Sequence, residues 1–295
     1  MKTYKSLKGI GFFYILAITI LFNILIVGSL YLIDSYILVT LIYALFIICN
    51  GYQIKYMLIS LTTRYVIRED NVEISSILGL KKISIPMNTI EKYMKTEGTI
   101  RGVKLSGYGS HSFAFGKFVI SKIGTTSMFA TSNKSIIYLD TIDMNYGISP
   151  ENIEDFEKTL YEKGIEKSEW ERPVAKATNL YRDKRFMIPF ISVTLVIFVI
   201  ILNPFVLYLR GALPDRMPLS FDSNFIPLEH GSGKKFAIAQ AVYGVLNMAI
   251  LFCMYYASHF YSKYDKKSAY KFVYISLIIA GIFLAMQFRI LANNW

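Results

Sequence analysis

Asp215, Asp222, Glu229 and His230 lie on one short stretch of the chain. Three carboxylates and an imidazole could gather a hard cation or trade protons, because they offer oxygen and nitrogen lone pairs. The same acids would equally neutralise Arg216, Lys234 and Lys235 in a loop beside a membrane, and their spacing imposes neither reading. Within the stretch Leu213-Pro214-Asp215-Arg216-Met217-Pro218-Leu219-Ser220-Phe221-Asp222, two prolines four residues apart forbid a regular helix and restrict the residues before them. The expectation is an extended backbone of defined shape carrying a ligand-binding set of Pro214, Asp215, Pro218, Phe221 and Asp222. Phe221 would act as an apolar anchor, and the aspartates would attract a cationic peptide. Elsewhere the chain has no His-Glu-x-x-His, no Gly-x-Ser-x-Gly, no phosphate loop, no Cys-x-x-Cys and only three histidines. A protein that is not an enzyme, with no cofactor and no metal centre, is therefore expected.

The elements that must position this stretch are membrane helices. Hydrophobic residues make up 54% of the 295, clustered in five runs: Ile10 to Ile33, Tyr36 to Leu61, Met187 to Leu209, Phe236 to Tyr261 and Tyr270 to Leu291. Each is long enough to cross a hydrocarbon core that needs roughly 20 helical residues. Lipid offers the backbone no partners, so helices are favoured. The first run exceeds the apolar core of a signal peptide and no small-residue cleavage site follows it, so it is expected to persist. Cys49 and Cys253 fall inside these runs and imply no disulfide framework. Asn23, Asn50, Asn203, Gln240, Asn247 and Gln287 also do, and are expected to bond to other helices.

Basic residues at the helix ends set the expected orientation. Lys2, Lys5 and Lys8, then Arg64 and Arg68, then Arg182, Lys184 and Arg185, then Lys263, Lys266, Lys267 and Lys271 all fall on one side of a five-helix arrangement. That side should be cytoplasmic in a cell membrane. The Asp34-Ser35 turn, the segment 210–235 and the tail ending in Asn294-Trp295 would lie outside. The net charge of +11 then reflects flanks facing anionic lipid, and no nucleic-acid recognition module is present. The expected division is a two-helix hairpin over 1–61, a soluble domain over 62–170 and a three-helix domain over 171–295.

The soluble domain reads as β-rich. Arg64 to Arg68 and Val72 to Ile77 alternate around Glu69-Asp70-Asn71 as a hairpin. Further strands are expected around Lys82 to Ile85, Phe113 to Phe115, Phe118 to Ile120, Ser127 to Ala130 and Ile136 to Asp140. Ser149-Pro150-Glu151 reads as the start of a closing helix, with Ile153, Phe156 and Leu160 on one face. Lys81, Lys82, Arg101 and Lys104 offer a lipid or partner surface, against the plainer reading of solvated lysines. Tyr108, Phe113, Phe115 and Phe118 either line a groove or fill the core.

Tyr65-Val66-Ile67 with Asp70 and Val72-Glu73-Ile74, Ile85-Pro86, Gly107-Tyr108-Gly109, Gly116-Lys117-Phe118 and Gly147-Ile148-Ser149-Pro150-Glu151 resemble the bacterial pleckstrin-homology-like (PH-like) domains of membrane proteins. The resemblance implies a strongly bent, mostly antiparallel sheet or barrel capped by a C-terminal helix, and a binding or assembly role. Leu213, Pro214, Met217, Pro218, Phe221 and Asp222 resemble the outer loop of SdpI-type toxin-immunity proteins, with Ser220 where that pattern has histidine. Two functions follow as expectations. One is immunity, resistance or envelope-stress protection by binding a peptide or toxin at the outer loop. The other is a membrane-anchored scaffold acting through the PH-like domain. The partners implied are the bilayer, a peptide or protein and a second copy of the chain, but not nucleic acid.

Overall fold

The computed structural model describes residues 1–142, 144–171 and 180–293, and Asn294 and Trp295 lie outside them. In chain order the elements are β1 (Lys2–Lys5), α1 (Gly11–Leu32), α2 (Tyr36–Thr62), β2 (Arg64–Ile67), β3 (Asn71–Ser76), β4 (Lys81–Pro86), β5 (Ile90–Thr96) and β6 (Gly102–Gly109). They continue as β7 (Ala114–Ile120), β8 (Gly124–Ala130), β9 (Ile136–Thr141), β10 (Asn145–Ile148), α3 (Ile153–Glu162) and β11 (Glu166–Lys167). The last are α4 (Lys184–Leu209), β12 (Met217–Phe221), β13 (Pro227–Gly231), α5 (Gly233–Ser262) and α6 (Lys266–Asn293). Among the described residues α1, α2, α4, α5 and α6 are the five helices long and apolar enough to cross a bilayer, by length and composition. The chain divides into two compact units, residues 1–22 with 49–171 and residues 23–48 with 180–293.

The first unit holds two sheets, one ordered β1-β2-β3-β4 and the other β11-β5-β9-β10-β8-β7-β6. Alternation drives β3 and β4, where Val72, Ile74 and Ile85 are buried and the residues beside them are more exposed, and Tyr65 of β2 joins them although its neighbour Val66 is buried as well. They meet Phe113, Phe115, Phe129 and Phe156 in one core. Neighbours in the larger sheet pair antiparallel, except that β10 lies parallel to β8 and β11 parallel to β5. These β-rich sheets with a helix behind them are consistent with the PH-like resemblance. The strands expected at Phe113 to Phe115 and Phe118 to Ile120 are one strand, β7.

Two local readings are corrected. The N-terminal lysines are not a bare flank, because Lys2–Lys5 forms β1 and pairs with β2 from Lys2↔Ile67 to Lys5↔Arg64. Lys2 Nζ reaches Asp155 Oδ1 at 3.0 Å and the Tyr4 hydroxyl donates to Asp155 Oδ2 at 2.7 Å. The Tyr4 bond first, then Lys2, holds the Asp155 carboxyl below its ordinary range. The second correction concerns α3, which begins at Ile153 with Asn152 as its cap, the Asn152 side chain accepting from the Asp155 N–H. Ser149 cannot cap it because its Oγ already accepts the Thr131 N–H at 2.9 Å, and Pro150 bridges to Ser6.

The second unit packs α4, α5 and α6 together with residues 23–48. Pro204 in α4 has no N–H to offer the Ile200 carbonyl four residues back. Gln287 of α6 fills the vacancy, its Nε2–H donating to Ile200 O at 2.7 Å and to Gln240 Oε1 at 3.3 Å. Gly244 lets α4 and α5 close, since a Cβ there would stand 2.2 Å from Ile201 Cγ1. Asp183 caps α4 through the Arg185 N–H and pairs with Lys266 at 2.8 Å and with the Tyr270 hydroxyl. Lys266 first, then Tyr270, draws the Asp183 carboxyl down to about 2.

Candidate functional site: a clasped hairpin

The proline-bearing stretch is a β-hairpin, β12 against β13, in the register Met217↔Gly231, Pro218↔His230, Ser220↔Glu229 and Phe221↔Pro227. Pro214 stands outside it, and Pro218 is tolerated within β12 because a two-stranded ribbon leaves N–H positions unpaired. Met217 and Phe221 are buried with Phe236, Met286, Ile290 and Leu291, which seats one face of the hairpin on the ends of α5 and α6.

The tip is closed by Asp222. Its Oδ1 accepts the N–H groups of Asn224 at 2.9 Å and Ile226 at 2.7 Å, and its own N–H donates to Ile226 O at 3.0 Å. Aspartate favours such turns because its short side chain reaches the backbone just ahead. Phe225, at φ +65°, lays its ring parallel to that of Phe221 with centroids 4.3 Å apart. The Arg289 guanidinium lies 4.0 Å from the Phe225 centroid and 5.1 Å from that of Tyr36, and it donates to the Tyr36 hydroxyl. The Ser223 N–H donates to Asp34 Oδ1 at 2.9 Å. The tip is thus clasped from α6 and from the turn between α1 and α2.

The structure redistributes the sequence-derived roles. Phe221 is not a free anchor, since it is spent on the hairpin's own core. Asp222 has committed one oxygen to the turn, Pro218 is buried, Pro214 is half-buried, and Asp215 alone of the five is exposed. Asp215, Asp222, Glu229 and His230 do not converge. Among the described residues no three His, Cys, Asp or Glu side chains come together as a metal site. What the hairpin presents instead is Ile226, Leu228, Glu229 and His230, all exposed. Sequence reasoning missed these residues and the clasp. One signal for the clasp was legible: Arg289 is a lone cation near the end of an apolar run.

The basic surface of the first unit also divides. Lys81 Nζ stands 4.9 Å from the Phe129 centroid, and burial first, then Lys55, lowers the ammonium below its ordinary range. Lys104 sits 6.0 Å from Tyr108, within the cluster of Tyr52, Tyr56 and Tyr108. Lys82 is exposed. Arg101 is elsewhere, with Glu97, Lys122 and Trp170 around a cavity of about 540 Å³. Phe113, Phe115 and Phe118 fill the core, so no aromatic groove forms from them.

Residues 63–164 match the bacterial PH domain family. An uncharacterised protein of Clostridium acetobutylicum is 38% identical over 290 residues, which cover 98% of this chain and 98% of that one. No solved structure matches the chain.

Proposed function

Since the chain belongs to one family with this clostridial protein and carries a bacterial PH domain over residues 63–164, we propose that it is a non-catalytic, multi-pass membrane protein taking an extended cationic peptide on its outer hairpin. The carrying observation is the free edge of β13. Among the described residues β13 pairs only with β12, while the tip is held by Asp222, Asp34 and Arg289. An unpaired strand edge held rigid is a template on which an extended segment adds as a further strand. Main-chain bonds supply affinity there, and Leu228 and Glu229 offer an apolar and an acidic contact. Leu21, Ile24 and Leu25 of α1, each more than half exposed, support lipid as the surrounding medium.

Peptide capture outside the bilayer suits immunity, resistance or an envelope-stress role, and the loop's likeness to SdpI-type proteins points the same way. Deletion cells challenged with secreted antimicrobial peptides should be sensitised, and Leu228→Asp with normal membrane levels should fail to rescue. Unchanged sensitivity across such peptides would remove the proposal. Full rescue by a chain lacking 217–231 would favour the scaffold alternative, in which the PH-like domain alone docks a partner. The cavity beside Arg101 and Trp170 is what favours that second reading.

A further inference from the structure

We propose that the turn between β3 and β4, Ile77-Leu78-Gly79-Leu80, is a second membrane contact of this chain, entering the headgroup layer of an anionic bilayer. This rests on the reading that α2 crosses the membrane. The turn is tight, with the Gly79 N–H donating to Ser76 O at 3.1 Å and the Leu80 N–H to Ile77 O at 3.0 Å. Ile77 and Leu78 occupy consecutive left-handed positions, φ +54° and +56°, which Asn and Gly ordinarily fill in hairpins. A branched Ile there is strained by its Cβ, so the sequence accepts poor turn chemistry while placing large apolar side chains at the tip.

Ile77 packs back against the core, whereas the two leucines have no protein to cover them, Leu78 being 79% and Leu80 87% exposed. The Leu78 N–H donates to Thr62 Oγ1 at 3.2 Å, which fixes the tip beside the last residue of α2, next to the exposed Leu61. Lys81 and Lys82 follow the leucines directly, and Lys55 of α2 lies near enough to Lys81 to repel it. Residues 74–82 contain no acid. Apolar side chains flanked by cations, held at the end of an apolar helix, are complementary to the boundary between acyl chains and anionic headgroups. The surface is not complementary to a basic partner, and a second copy would bring like charges together.

The test uses the full chain in phosphatidylcholine nanodiscs with and without phosphatidylglycerol. In a Cys49→Ser, Cys253→Ser background, an environment-sensitive fluorophore is attached at Leu78→Cys or, as an independent position, Leu80→Cys. A reference probe is placed at Leu195→Cys, an exposed position within α4. Expected are blue-shifted emission and quenching by lipids spin-labelled near the carbonyl, stronger with phosphatidylglycerol. Lys82→Gln should weaken the contact equilibrium about fivefold. Quenching at 195 but at neither 78 nor 80 would overturn the hairpin proposal alone. Absence of quenching at all three positions would overturn the membrane reading as well. A blue shift that grows with protein concentration without lipid quenching would assign the tip to a second copy and also overturn it.

Discussion

Replacing Arg289 with alanine should release the hairpin tip while leaving the helices folded. Its guanidinium lies 4.0 Å and 5.1 Å from the centroids of Phe225 and Tyr36, both inside the range of roughly 6 Å over which a cation is drawn to a ring face. Arg289 is exposed, so each face contributes about 0.5–1 kcal/mol, the low end for such contacts, and the pair about 1–2 kcal/mol. With RT near 0.6 kcal/mol, tip opening should become roughly 5- to 30-fold more frequent. Hydrogen exchange by mass spectrometry on the full chain in nanodiscs reads this directly. The N–H groups of Asp222, Ser223, Asn224, Phe225 and Ile226 all donate inside the clasp, so peptides over 217–231 should exchange faster by that factor. Arg289→Lys should fall between, because an ammonium keeps the charge but loses the planar stack. Protection within twofold of wild type would refute the clasp. Equal acceleration in α5 peptides would also refute it, by showing that the substitution loosens the bundle rather than the tip.

Tyr65→Phe removes a hydroxyl that donates to Phe129 O at 2.7 Å and accepts the Ser149 N–H at 3.2 Å, both buried. Two orphaned backbone groups should cost about 2–4 kcal/mol, read as a lowered denaturation midpoint for β-domain peptides in pulsed exchange, and a loss under about 0.5 kcal/mol would contradict the assignment. Burial pushes the Tyr65 hydroxyl up to about 12 from its usual 10, so its contribution is complete below pH 10 and fades as pH rises through 12. Asp183 has the opposite sign. Its folded value of about 2 lies below the unfolded value of about 3.9, so its contribution is complete above about pH 4 and lost as pH falls through 2. The difference in melting temperature between wild type and Asp183→Asn should follow that window, and a difference that vanishes by pH 5 would contradict the Lys266 pairing.

The long helices were legible because some 20 consecutive apolar residues have one low-energy backbone in lipid, whatever surrounds them. Their mutual fit was not legible, since the Gln287 bond to the carbonyl vacated by Pro204 joins residues 87 apart. In the β-rich unit the period-2 pattern placed most strands, yet β7 read as two pieces because Gly116-Lys117 interrupts its apolar run. That glycine is a device within the strand. At φ +114° it faces Gly107 across the ladder, where a Cβ would meet Ser106 O at 2.4 Å. The strand Lys2–Lys5 carried no local signal, having one apolar side chain in four residues. It forms because β2 offers an open edge some 60 residues away in sequence. Ser149-Pro150 failed in the other direction, as a strong local cap signal outweighed by buried bonds to Thr131.

In the hairpin, the residues that stand out in the sequence are the ones that the fold itself uses. Pro218, Phe221 and Asp222 drew attention because each constrains the backbone or the core strongly. Residues that constrain the backbone are consumed in doing so: Pro218 and Phe221 are buried and Asp222 is bonded into its own turn. Under the proposed peptide reading, what a partner would meet is the strand they stabilise, whose Ile226, Leu228 and Glu229 are unremarkable types. Recognition along a strand edge needs main-chain N–H and C=O groups, which every residue except proline supplies. Serine in place of histidine at position 220 therefore leaves the proposed mode intact, because Ser220 lies on β12, opposite Glu229, and the edge proposed to take the peptide is the outer one of β13. A peptide bound this way should tolerate Ser220→Ala and lose affinity when proline replaces Leu228 or Glu229 at whichever N–H faces outward. Isothermal titration of the nanodisc-embedded chain with a cationic peptide distinguishes the two, and equal tolerance at all three positions would exclude strand addition.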